Sequence, residues 1–111
     1  MTQFVQALPF ARVVCEEHVR EHGEVLPHIL MADLRPLFIE LVEAEKEDEV
    51  RRFLEGIETL AASPADSIRN VVEISFIEDL VLGDRRETRA LNKVRPLLGP
   101  ATAARVAATE S

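Results

Sequence analysis

The sequence is poor in the residues that build disulfides, thiolate metal sites and stacking surfaces. It holds one cysteine, Cys15, and neither tryptophan nor tyrosine. A lone cysteine forms no disulfide within the chain and no zinc site of the thiolate kind, which is typical of a protein from a reducing compartment. Because phenylalanine is the only one of the three large aromatic residues present, with five copies, a surface that stacks on nucleic-acid bases is disfavoured.

Long apolar runs are also missing. No stretch approaches the roughly 20 apolar residues that a membrane-spanning helix needs, and the first residues lack the basic start and apolar run of a secretion signal. We therefore expect a cytoplasmic protein that does not enter a membrane. The 111 residues suit one domain, so we expect residues 1–111 to form a single helical domain.

The net charge of −7 is unevenly distributed along the chain. Residues 1–63 hold 13 acidic and 6 basic side chains, whereas residues 64–111 hold 7 of each. An acidic surface of this kind repels nucleic-acid phosphates and attracts cationic partners. A basic protein is therefore a better candidate partner than DNA or RNA.

Proline and glycine divide the chain into helical segments. Proline favours the first turn of a helix, and glycine favours the position just after its end. These marks predict an all-α bundle of five to six helices. The predicted helices span residues 3–22, 27–45, 47–62, 64–82, 84–98 and 100–109, and Pro9 is a candidate break in the first of them. The fourth segment is apolar around most of its circumference, which predicts a central helix and leaves a strand as the alternative.

The stretch LPHILMADLRPLF, residues 26–38, places four unusual residues in an apolar helix. Pro36 removes a backbone hydrogen bond to Ala32 at a cost of about 3 kcal/mol, so we predict a kink or break near residues 32–36. Asp33 lies at the margin of the apolar stripe. For His28 we favour a structural hydrogen bond, and the alternative is that His28 and Asp33 face a shared pocket.

The stretch HVREH, residues 18–22, matches the pattern H-x-x-E-H. Two histidines four residues apart, His18 and His22, can hold zinc, and Glu21 could activate its bound water. A protease of this kind also needs a third protein ligand and a substrate cleft, and the segment lies at a helix end just before Gly23 in a very small chain, so we expect no metal and no cofactor. Cys15 lies three residues from His18, but we expect an inert apolar side chain rather than a nucleophile.

The sequence favours a protein that is not an enzyme. The alternative is a small metal- or histidine-dependent enzyme built on His18, His22 and His28.

The stretch EAEKEDE, residues 43–49, is the densest acidic segment. A solvated turn is the simplest interpretation of it. The functional interpretation is a partner-binding surface formed by Glu43, Glu45, Glu47, Asp48 and Glu49. The basic segment DRRETRALNKVR, residues 84–95, could contact phosphate, or it could contact this acidic stretch within the chain or in a dimer.

Three stretches together resemble a family of small bacterial proteins grouped as a domain of unknown function. They are EEHVREHGEVLPHILMADLRPLFIELV, ISFIEDLV and RPLLGP, and the resemblance covers residues 4–101. It implies an all-helical single domain without an assigned activity. It also implies a polar network of Glu17, His18, His28, Asp33 and Glu78, in which Glu78 holds His18 or His28.

Some similar small acidic bacterial proteins are immunity proteins, which neutralise a toxin domain. By analogy with them, we expect a protein-binding module, an immunity-type inhibitor whose acidic surface binds a basic toxin partner. A regulatory helical homodimer is a further alternative.

Overall fold

Six helices account for most of the residues that the structure describes. A computed structural model describes Phe4, Gln6 and residues 8–111. The helices are α1 (Arg12–His22), α2 (Pro27–Glu43), α3 (Glu47–Ala61), α4, α5 (Arg85–Val94) and α6 (Pro100–Glu110), and α4 consists of Asp66–Val72, a π-helical segment Glu73–Ile77, and Glu78–Leu82. Short 3-10 turns at Pro9–Ala11 and Arg95–Leu97 precede α1 and follow α5. The described residues contain no strand, so the predicted all-α class is confirmed.

The predicted segments agree with the observed helices to within a few residues at most ends. The predicted start at residue 3 lies outside the described residues. Phe4 and Gln6 are helical, whereas Leu8 is not and the 3-10 turn begins at Pro9, so the candidate break at Pro9 is present. No helix among the described residues combines the length and the apolar character needed to cross a membrane.

Three phenylalanine rings form the centre of the core. Phe38 of α2, Phe53 of α3 and Phe76 of α4 are buried, and their ring centroids lie 5.0 to 5.6 Å apart. Aromatic pairs at such distances are stabilised beyond their burial by about 0.5–1.5 kcal/mol. Helix α4 contacts α2, α3, α5 and α6, which is the central position that its apolar circumference predicted.

Helix α2 runs through Pro36 without a break. The predicted break is therefore wrong, and a kink stays a prediction. Leu34 and Phe38 are fully buried on either side of the proline, so packing holds the helix together across the missing hydrogen bond. Ala32 and Pro36 both line a surface pocket, where water can reach a carbonyl that has lost its amide donor.

A carboxylate of α3 caps the first turn of α6. Glu58 accepts hydrogen bonds from the Ala101 amide at 2.9 Å, the Thr102 amide at 2.9 Å and the Thr102 hydroxyl at 2.8 Å. A Cβ atom at Gly99 would overlap this carboxylate, so glycine is needed for the close approach. Burial by itself raises the pKa of Glu58, but the hydrogen bonds from Thr102 and Ala101 outweigh it and lower the pKa below 4.5.

We predict that Glu58→Gln lowers the free energy of unfolding by roughly 1.5 kcal/mol at pH 7, because an amide oxygen is a weaker acceptor for these three donors. The folded-state pKa lies below the unfolded value, so this stabilisation is present above about pH 4.5 and disappears as the pH falls through the folded-state pKa. Urea unfolding of the original protein and of Glu58→Gln between pH 7 and pH 3 should show that the difference in their free energies of unfolding becomes smaller as the pH falls. Glu55→Gln, an exposed change on the same helix, is the control, and a gap that stays constant with pH would contradict the assignment.

Candidate functional site

His18 joins α1 to the following loop and to α2. Its side chain is fully buried, and its Nδ1 lies 3.0 Å from Oδ2 of Asp33. The backbone amide of Leu26 donates to its Nε2 at 2.9 Å. Because an amide can only donate, Nε2 must be the acceptor, and the ring hydrogen therefore lies on Nδ1 and is donated to Asp33. Both nitrogens of this imidazole are occupied.

The occupied nitrogens decide against a catalytic role for His18. A general base needs a free lone pair within hydrogen-bond distance of the group that it deprotonates. The lone pair of His18 is held by the Leu26 amide in the interior of the protein. The same restriction applies to Cys15, a half-buried free thiol, because His18 has no lone pair left to activate it. The contact of His18 with Asp33 is therefore a structural link.

The two histidines of the HVREH stretch do approach a third donor. Possible ligand atoms of His18, His22 and Asp33 lie within 4.8 Å of one another, and the two rings are 4.7 Å apart. To bind a metal through Nδ1, a neutral His18 would have to carry its hydrogen on Nε2, facing the hydrogen of the Leu26 amide. Metal binding would thus replace one buried hydrogen bond by a repulsive contact, and the geometry disfavours a zinc site that uses His18.

A pocket of 270 Å³ lies between α1 and α2, beside this link. Its acidic lining residues are Glu17, Glu21 and Asp33. His28 does not line it, so the pocket predicted for His28 and Asp33 together is not this one. Three residues of the predicted polar network line this pocket together, namely Glu17, His18 and Asp33.

His28 belongs to a second polar cluster, between α2 and α4. Its Nδ1 lies 2.9 Å from the hydroxyl of Ser75, which is buried in the π-helical segment. Arg35 donates to the carbonyl of Ser75 at 3.1 Å and to Asp79 at 2.6 Å. A π-helical segment shifts the backbone hydrogen-bond register by one residue, and the guanidinium supplies a donor to a carbonyl within the shifted region. His28 and Arg35 are seven residues apart, two turns of one helix, so both reach α4 from the same face of α2.

Arg35 also links this cluster to α5. Its Nε lies 3.0 Å from Oε2 of Glu87, an oxygen that is buried and has no hydrogen bond of good geometry within the described residues. We regard the contact as an ion pair, because the guanidinium and the carboxylate are close although the N–H group does not point at the oxygen. The other carboxylate oxygen of Glu87 completes a capping box with Asp84 at the start of α5.

Glu78 does not take the place that the resemblance implied. It is exposed and forms no hydrogen bond to His18 or His28 in the described part of the chain. The carboxylate of α4 that meets α2 is that of Asp79, and its partner is Arg35. Neighbouring residues of a helix point about 100° apart, so a shift of one residue moves a side chain to another face. The sequence pattern gave no sign of the π-helical segment.

The acidic stretch is partly neutralised by the basic one. Arg86 of α5 donates two hydrogen bonds to Glu43, at 2.6 and 2.7 Å. Hydrogen bonding from Arg86 lowers the pKa of Glu43 below 4.5. Glu47 pairs with Arg51 at 2.9 Å, one turn later on α3. The alternative of a contact between the two stretches within the chain is thus present, through Glu43.

The remaining carboxylates of the stretch form no ion pair within the part of the chain that the structure describes. Among the described residues, no basic nitrogen lies within 4.0 Å of the carboxylates of Glu45, Asp48 and Glu49, and Glu45 and Asp48 are exposed. We call these three residues the acidic turn. Asp48 and Glu49 also lie in the first turn of α3, where the helix dipole favours negative charge.

Glu45 has a backbone conformation that glycine normally adopts. Its φ is +57°, and it is the sole residue other than glycine with a positive φ in the described part of the chain. The amide of Lys46 donates to the Leu41 carbonyl, and the amide of Glu45 donates to the Val42 carbonyl, so the residues close α2 as a Schellman motif. A residue with a Cβ atom in this conformation costs roughly 1–2 kcal/mol. In this chain the residue in that conformation is a glutamate, whose side chain is charged.

A groove of 420 Å³ adjoins the acidic turn. Its lining combines aliphatic side chains with charged ones, and it consists of Val42, Glu45, Glu47, Val50, Lys93, Val94 and Leu97. The residues come from α2, the turn, α3, α5 and the 3-10 turn after α5. The charges of the acidic and basic stretches allowed a contact between them, but the sequence gave no sign of this groove or of its aliphatic lining.

We predict that His18→Ala lowers the free energy of unfolding by about 3 kcal/mol, because the change removes a buried ring and leaves the Leu26 amide without an acceptor. His22→Ala, on the same face of α1 but exposed, should change stability by less than about 0.5 kcal/mol. Thermal or urea unfolding compares the two. Equal effects of the two changes would show that His18 is not the structural link described above.

We predict that Arg35→Met lowers the free energy of unfolding by about 2 kcal/mol, since it leaves Glu87 and the Ser75 carbonyl without their cationic partner. Arg51→Met breaks an ion pair that is exposed on both sides and should cost less than about 1 kcal/mol. The urea midpoints of the two variants measure the contrast. If Arg35→Met were as mild as Arg51→Met, the cluster around Ser75 would not stabilise the fold.

Comparison with known proteins places the chain in a family. No curated protein matches it, and no solved structure matches it either. One family model matches residues 1–108, which is almost the whole chain. This agrees with the resemblance to a family of unknown function that the sequence pattern indicated. The chain belongs to the family described as domain of unknown function (DUF7674).

Proposed function

We propose that the protein is a binding module for a basic protein partner, in the manner of a bacterial immunity-type inhibitor, and that the acidic turn contacts this partner. The observation that carries the proposal is Glu45. Its carboxylate is exposed and has no ion pair in the described structure, yet its backbone holds a conformation that glycine would adopt without cost. Backbone strain of this kind concentrates at functional sites, where a particular side chain is needed.

The distribution of charge supports this assignment. Arg86 already neutralises Glu43, and Arg51 pairs with Glu47, so these two carboxylates contribute less to a new contact. The three residues of the acidic turn have no cationic partner among the described residues. Unpaired surface charge of one sign accelerates the encounter with an oppositely charged protein and repels nucleic-acid phosphates. The proposed surface is therefore a part of the predicted set of five residues, centred on Glu45.

The state of the histidines favours binding over catalysis. Both nitrogens of His18 are used in structural hydrogen bonds. His28 is exposed but contacts the hydroxyl of Ser75, which lies inside a helix and is 8% exposed. A serine nucleophile needs room for substrate and a preorganised set of donors for the oxyanion, and the amides inside a helix are already bonded to carbonyls. The histidine- or metal-dependent enzyme is the less supported alternative.

We predict that Glu45→Gly raises the free energy of unfolding by about 1 kcal/mol, through relief of the positive φ, and at the same time weakens partner binding. Glu45→Ala should weaken binding without the gain in stability, because alanine keeps the strain. Glu78→Gln, an exposed change of the same charge on α4, should alter neither property.

The partner is first captured on the tagged protein from lysate of its own organism, at low and at moderate salt, and identified by mass spectrometry. The purified partner is then titrated against each variant. A basic partner whose affinity falls with salt and with Glu45→Gly supports the proposal. A partner that binds Glu45→Gly as tightly as the original protein contradicts it, and recovery of the protein alone at both salts favours the regulatory homodimer.

A further inference from the structure

We infer that the groove beside the acidic turn receives an arginine side chain of the partner. This inference rests on the proposed function and names the contact through which it works. Arginine is among the residues that most often carry the binding energy of an interface, usually from a well-packed pocket near its centre. The groove offers the two surfaces that such a side chain requires, an apolar wall for its stem and carboxylates for its head.

The wall of the groove is aliphatic. Val42, Val50 and Val94 are core residues that are at most 5% exposed, and half-buried Leu97 lies beside them. Because the three valines are fixed by the core, the wall is formed before a partner arrives. The methylene groups of an arginine lie favourably on such a surface while the charged head stays near water. A preformed wall reduces the ordering cost of binding.

The head of the arginine finds two carboxylates at the turn. Glu45 has no ion pair within the described residues, and Glu47 shares one oxygen with Arg51 in a pair that is more than half exposed on both sides. Exposed pairs of this kind exchange partners at little cost. A guanidinium presents five donors in a planar fork and can bond to both carboxylates, whereas an ammonium acts as a point charge. Arginine therefore suits the groove better than lysine.

Lys93 allows a test of whether the group that enters the groove is positively or negatively charged. It lines the same groove, and no carboxylate lies within 4.0 Å of its ammonium among the residues that the structure describes. An incoming guanidinium is repelled by this ammonium, so removal of its charge should strengthen binding by roughly two- to five-fold. A ligand that enters with a carboxylate would instead be held by Lys93, and the same change would weaken its binding.

The experiment uses Nα-acetyl-arginine methylamide as the probe, titrated at low salt into the isotope-labelled protein of 111 residues. We expect saturable shifts of the methyl resonances of Val50, Val94 and Leu97. The citrulline analogue has the same shape without the charge and should bind at least about five-fold more weakly. Glu45→Gln should weaken binding of the arginine probe, and Lys93→Gln should strengthen it. Circular dichroism checks that each variant is folded.

Three outcomes overturn the inference. They are equal binding of the arginine and citrulline probes, weaker binding in Lys93→Gln, and groove methyl groups that do not shift. A second probe, octa-arginine, distinguishes a wrong assignment of the groove from an acidic turn that binds no cationic partner at all. If octa-arginine shifts the amides of Asp48 and Glu49 but not the groove methyl groups, the groove assignment is wrong and the acidic surface stands. If octa-arginine shifts neither set, the acidic turn does not bind cationic partners and both proposals fail.

Discussion

The contact between Phe38, Phe53 and Phe76 holds three helices in one core, and every other feature of the molecule is positioned against it. A chain of this size supports only one such core. The helices at the periphery therefore need additional links, and the structure supplies them as polar side chains that bond from one helix to another. His18 links α1 to α2, Arg35 links α2 to α4 and α5, and Glu58 links α3 to α6. Each link satisfies a backbone group that would otherwise lie unpaired near the interior.

Some of these polar residues are of the types that are found in active sites. A histidine beside an aspartate, and a histidine beside a serine, are the components of familiar catalytic sets. In this protein the lone pair of His18 is held by the Leu26 amide, and Ser75 is enclosed in α4. The lone pair of His18 is thus taken by a structural hydrogen bond, and the hydroxyl of Ser75 is bonded to His28 within the fold. The exposed surface carries a further set of charged groups.

On that surface, charge and strain coincide at the turn between α2 and α3. The acidic stretch divides into two members that are paired within the chain, Glu43 and Glu47, and the acidic turn, whose three members have no ion pair with any residue that the structure describes. Glu45 stands at the point where α2 must end, and its positive φ orients the chain into α3. The same residue lines the groove whose wall is formed by the core. A binding surface at this position combines a rigid apolar wall with carboxylates, which suits a cationic side chain with a long apolar stem.

The sequence by itself determined the class of the fold and the approximate ends of the helices, because proline, glycine and apolar periodicity act on the nearest turn of the backbone. Starts at Pro27 and Pro100 and the end at Gly23 follow from that local chemistry. It also located the acidic stretch and the histidines. Which of these residues meet was decided by the tertiary structure.

The contacts of His18 with Asp33, of His28 with Ser75 and of Glu43 with Arg86 span 15, 47 and 43 residues. The continuity of α2 through Pro36 and the π-helical segment of α4 likewise depend on packing against other helices. Local patterns set the conformation of most of the backbone. The pairing of distant side chains depends on how the helices pack around their shared core, and no local pattern records it.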